Sequence, residues 1–105
     1  MFRQVIYRNK NVEINIMNLK PEEDVGIEIH PKNDQIFFIT LGSGKAILND
    51  TDLEILKPGK LLIVPAGTKH NVIAGKYGLS FYTVYVPPEM PLNKDQLKKT
   101  NFNVF

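Results

Sequence analysis

A chain of 105 residues with 43% hydrophobic content is long enough for one domain with a single modest core, spanning residues 1–105. Thirteen Lys and Arg against eleven Asp and Glu leave a net charge of +2 spread along the chain, with no basic stripe for nucleic acid. With no cysteine there is no disulfide framework, thiolate zinc cluster or thiol nucleophile, and no apolar run is long enough for a membrane span or signal peptide. The expectation is therefore a soluble, cytoplasmic protein with no membrane partner.

Short β-branched and aromatic runs alternate with turn signals: FRQVIY, VEINIMNL, VGIEIH, QIFFITL, KAIL, LEIL, KLLIV, HNVIA and LSFYTVYV, about nine strands. Gly42 and Gly44 suit one tight hairpin, Asn49-Asp50-Thr51-Asp52 a second and Pro58-Gly59 a third. Strands joined so closely pair antiparallel, which makes the expected fold all-β, a sandwich or barrel. After Pro87, Pro88 and Pro91, Asn93 caps a short predicted helix through Gln96 and Leu97.

In QIFFITL, Phe37, Ile39 and Leu41 share the face of Gln35 while Ile36 and Phe38 take the other; KLLIV is likewise apolar on both faces. Strands of this kind are buried on both sides, and in so small a domain the second cover is most simply another copy of the chain. A homodimer is expected.

The stretch VGIEIH places Glu28 and His30 on one strand face and Ile27 and Ile29 on the other. If the isoleucines face the core, the polar pair is ordinary solvated surface. If the polar pair faces inward, something must satisfy it there. Further on, GKLLIVPAGTKHNVIA sets a stiff corner with Pro65 and Gly67, and His70 opens the next strand. The chain has only these two histidines.

Residues 59–70 carry Gly59, Pro65, Gly67 and His70 at the spacing of the second cupin motif, with Ala74 where that motif ends in Asn. Residues 28–42 resemble the first cupin motif: His30 and Gly42 match, Glu28 replaces the first histidine, Gln35 replaces the glutamate, and Glu22 stands at the opening glycine. Phe2-Arg3, Leu19-Lys20-Pro21, Asp34-Gln35, Gly42-Ser43-Gly44, His70-Asn71-Val72-Ile73 and Pro87-Pro88-Glu89 are similar to small single-domain cupins of the mannose-6-phosphate isomerase-like group, with likeness extending to about Lys99. Met90 follows Glu89, where that group often carries histidine.

This resemblance implies an antiparallel jelly-roll β-barrel (RmlC-like) that binds a divalent metal in its mouth, with Glu28, His30, Gln35 and His70 as the ligand set. Two imidazoles, one carboxylate and one amide oxygen favour harder cations, manganese or iron before zinc or nickel. Glu28, His30 and His70 also have the composition of a 2-His-1-carboxylate triad. Phe37 and Tyr82, with Tyr85, are candidate pocket-lining aromatics for a small-molecule ligand. The implied function is a metal-dependent enzyme of dioxygenase or isomerase type on a small oxygenated molecule. The alternative is a non-catalytic dimeric binding or scaffold module.

Overall fold

The computed structural model describes residues 1–88. The helix expected at 93–97 lies outside them. Six strands follow one another: β1 (Phe2–Arg8), β2 (Glu13–Leu19), β3 (Asp34–Leu48), β4 (Asp52–Leu56), β5 (Leu61–Val64) and β6 (His70–Val86). Every pairing is antiparallel, in the order β1-β2-β6-β3-β4, with β5 also on β3.

Fewer and longer strands form than the nine expected, for a backbone reason. QIFFITL and KAIL run together as β3, because Gly42 and Gly44 bend a continuous strand and do not close a hairpin. A Cβ on Gly42 would stand 2.2 Å from the carbonyl oxygen of Gly78, and φ there is +83°. Only glycine lets the two backbones approach so closely. HNVIA and LSFYTVYV likewise merge into β6 through an excursion at residues 75–78, where the β3 partner steps from Leu79 opposite Gly42 to Ala74 opposite Gly44. VGIEIH forms no strand of its own; it touches β6 by an isolated bridge of Glu28 with His70, and Asp24 just before it bridges Ile73.

The turn at 49–52 does close a hairpin between β3 and β4, with Asn49 and Asp50 at φ of +50° and +69°, as a primed turn requires. The Pro58-Gly59 turn does not pair the strands it joins. β4 and β5 lie end to end along one edge of β3, and the turn is tied to Ile39 by Gly59 N–H to its carbonyl at 2.9 Å and Lys60 carbonyl to its N–H at 3.0 Å.

Because β3 and β6 bend, their two halves belong to two leaves whose inner faces share one core of Met17, Leu19, Phe37, Ile39, Ala46, Leu56, Leu62, Val64, Val72, Ala74, Leu79 and Phe81. In the leaf built from β2, β6, β3 and β5, inward side chains form cross-strand layers. Glu13, Tyr85, Gln35 and Val64 make the first; Asn15, Thr83, Phe37 and Leu62 the second; Met17, Phe81 and Ile39 the third. The layers grade from polar to apolar along the barrel, so one end is chemically different from the other.

Candidate metal centre

At the polar end the backbone is stitched before any side chain is considered. Glu28 and His70 exchange backbone hydrogen bonds at 2.8 and 2.9 Å, and the Gly67 N–H donates to the His30 carbonyl at 2.9 Å. Gly67 holds φ at +83° in the corner after Pro65, whose carbonyl accepts from the Thr68 N–H at 3.1 Å. Asp34 Oδ1 accepts from the Ala66 N–H at 2.8 Å, so this residue braces the same corner from the start of β3.

On that frame Glu28, His30 and His70 bring one donor atom each within 4.8 Å of one another. His30 Nε2 lies 3.6 Å from Glu28 Oε1, and the two imidazole centroids are 5.3 Å apart at 42°. The polar pair, not the isoleucines, turns inward: His30 is 8% exposed, whereas Ile27 and Ile29 are 67% and 54% exposed. His70 Nδ1 donates to the Thr68 carbonyl at 2.9 Å, which leaves the Nε2 lone pair as the acceptor. Gln35 Nε2 donates to Thr83 Oγ1 at 2.9 Å, which turns the amide oxygen the other way.

His70 Nε2 and Gln35 Oε1 are buried with no hydrogen-bond partner. Buried lone pairs without donors are costly. A divalent cation is the natural partner for two such acceptors beside a carboxylate, so the residues present fit a metal. The four would supply two nitrogens and two oxygens. Imidazoles ligate as neutral bases, and the Thr68 carbonyl already fixes the tautomer of His70 that ligation needs.

A small cavity of about 70 Å³ adjoins the cluster, lined by Glu28, Gln35, Phe37, His70 and Tyr85 among others. Phe37 meets the His70 ring edge-on at 6.2 Å, and Tyr85 meets that of His30 at 5.3 Å. Tyr82 is not a lining residue, contrary to expectation. It alternates with buried Phe81 and Thr83 and pairs with Phe38 and Ile16 on the outer face of the leaf.

A second buried polar group, not anticipated above, lies beside the first. Glu13 is fully buried; Arg8 binds its Oε1, Asn15 Nδ2 donates to its Oε2 at 2.9 Å, and Arg3 reaches Oε2 at 3.6 Å. The alternation of VEINIMNL holds a signal, since Glu13 and Asn15 share a face with Met17 and Leu19, but hydrophobicity alone would turn Ile14 and Ile16 inward. At the surface, a hydrogen bond from the Met1 α-amino group at 2.9 Å, with the Lys20 N–H, holds the Glu23 carboxyl below its ordinary range.

A bent antiparallel barrel with a His, His and Glu cluster in its mouth defines a jelly-roll protein with a candidate metal centre. The chain belongs to the Cupin domain family, whose pattern matches residues 15–88. It is 36% identical over 94 residues to uncharacterized protein L612 of Acanthamoeba polyphaga mimivirus, covering 86% of this chain and 59% of that protein. It is 34% identical over 96 residues to uncharacterized protein YrkC of Bacillus subtilis, covering 86% and 52%. The chain thus spans a little over half the length of these curated relatives. Among solved structures it is similar to BH2720 of Bacillus halodurans, with a TM-score of 0.83 and 29% identity over 89% of this chain and 75% of that one.

Proposed function

We propose that Glu28, His30, Gln35 and His70 hold one divalent cation, manganese or iron by preference, and that the centre acts on a small oxygenated molecule entering beside Tyr85. The observation that carries this is the pair of buried acceptors, His70 Nε2 and Gln35 Oε1, without a protein donor. A bound cation would supply Lewis acidity or a site for oxygen activation. The chain's own residues do the rest. Phe37 and Tyr85 shape a small cavity of about 70 Å³, so the reacting part of any ligand is small.

Dioxygenase chemistry suits this site better than isomerisation. Isomerisation needs a base to move a proton between carbons. Glu28 is committed to the cluster, and Glu13 is held by Arg8 and Asn15. The same shortage of an uncommitted acid at the cluster among the described residues supports a second reading, a non-catalytic module that binds a metal and a small ligand. Oxygen uptake by the manganese- or iron-loaded protein across a panel of catechols, sugar phosphates and small hydroxy acids separates the two. Consumption coupled to loss of one compound supports the enzyme, and thermal stabilisation without turnover supports the module.

The working form we propose is a cytoplasmic homodimer. Across β5, β3, β6 and β2 the outward residues align as two rows, Ile63, Ile36, Val84 and Ile14, then Leu61, Phe38, Tyr82 and Ile16. None is charged, and Leu61, Ile63 and Phe38 are 55%, 56% and 45% exposed. A second copy offers the same flat chemistry in return, as a two-fold sheet-on-sheet contact demands. Light scattering is expected to give twice the chain mass of 12.0 kDa for the wild type and 12.0 kDa for Phe38→Lys/Leu61→Lys. A wild-type monomer at micromolar concentration would contradict the dimer. Among the described residues no helix is long and apolar enough to cross a membrane.

A further inference from the structure

We infer that Arg3 is a recognition residue of the metal cavity and that the ligand it selects is a small carboxylate; this rests on the metal-centre reading above. Arg3 stands on β1 opposite Met17, on the inward side of the leaf, and lines the same cavity as Glu28, Gln35, His70 and Tyr85. Its side chain is 39% exposed, so it lies at the mouth.

Two contacts orient the guanidinium. Its Cζ lies 5.8 Å from the centroid of the Tyr85 ring, and one of its nitrogens lies 3.6 Å from Glu13 Oε2. The Tyr85 ring also meets His30 at 5.3 Å, so one aromatic ring touches both the cation and the cluster. Tyr85 and Glu13 are themselves 2% and 0% exposed and face each other across β2 and β6, which makes the support rigid.

The spacing matters because the cavity is small. Arg3, Glu28, Gln35 and His70 line this one cavity, so a ligand that fills it meets the cluster and the guanidinium together. A guanidinium presents a fork of donors that can engage a planar carboxylate and keep its other contacts. Charge points the same way. Glu28 is the one carboxylate of the cluster, so a divalent ion there keeps a net positive charge, and Arg3 adds a second cation on the same cavity wall. A neutral diol of equal size gains nothing from that field, whereas a 2-hydroxy acid presents a carboxylate and a hydroxyl together.

The test is calorimetric titration of the manganese-loaded protein with glycolate and with ethylene glycol, in the wild type, Arg3→Gln and Arg3→Lys, with manganese affinity measured on each. The wild type is expected to bind glycolate at least about tenfold more tightly than the diol, the scale of one charge-assisted hydrogen bond. Arg3→Gln should bind glycolate about tenfold more weakly than wild type with the diol unchanged, Arg3→Lys should recover part of that loss, and manganese affinity should hold in both, which also reports that they fold. Equal glycolate affinity in Arg3→Gln and wild type, or no wild-type preference for glycolate, overturns the role of Arg3 while leaving the metal centre standing. Failure of the wild type to take up manganese overturns both.

Discussion

The two ends of the barrel are built on the same strands and do opposite things. At the closed end, β3 and β6 turn their corners through Gly42, Gly44, Gly75 and Gly78, and the inward positions are Leu19, Ile39, Ala46, Leu56, Leu79 and Phe81. At the open end the same strands present Gln35, His70, Thr83 and Tyr85, joined by Glu13 and Asn15 from β2. Apolar burial and close backbone approach fill the first region with contacts that stabilise the folded chain. The second holds hydrogen-bonded polar groups plus three acceptors left without donors, His70 Nε2, Gln35 Oε1 and Asn15 Oδ1, an arrangement that costs stability unless a ligand completes it. The difference teaches that stability and binding are divided along the strand axis, so substitutions at each end should separate them.

The largest expected effect is at the corner. Gly42→Ala forces a side chain into the Gly78 carbonyl at a positive φ, and it should destabilise by about 4 kcal/mol or more, read by denaturant unfolding. Deleting apolar volume at the closed end comes next: Leu56, fully buried, should cost about 3 kcal/mol as Leu56→Ala with metal affinity unchanged. A loss of metal from a folded Leu56→Ala protein would break the division between the ends. The smallest effect sharpens it from the other side. Thr83→Val keeps the shape but removes the hydroxyl that receives the Gln35 amide, so metal affinity should fall by about tenfold, and the metal-free protein should lose about 1 kcal/mol because the buried amide keeps no acceptor.

Much of the centre is legible in the chain because its signals are local. The corner Pro65, Gly67, His70 is a fixed spacing, and the alternation of Ile27, Glu28, Ile29 and His30 puts two donors on one face. Which face turns inward is decided by the backbone exchange between Glu28 and His70, which brings together residues 42 apart and has no local signature. Tyr82 shows the same limit. Inward positions in β6 are even at His70, Val72 and Ala74 but odd at Leu79, Phe81, Thr83 and Tyr85, because the excursion at 75–78 flips the parity. The extra residue Thr40 does the same in β3, where Gln35, Phe37 and Ile39 give way to Ala46. Neither the bulge nor the excursion announces itself in the pattern of hydrophobicity. The Glu13 group stayed hidden because its partners Arg8 and Asn15 matter only once the pleat has placed them inside.

The most direct test of the centre is metal content per chain by inductively coupled plasma mass spectrometry, after incubation with manganese, iron, zinc or nickel and desalting, for wild type and His30→Ala/His70→Ala. The structure predicts close to one ion per wild-type chain and none in the variant, with both proteins folded by circular dichroism. Wild-type protein that retains no ion after any of these incubations, or a double variant that retains it fully, would contradict the assignment of Glu28, His30, Gln35 and His70 as a metal centre.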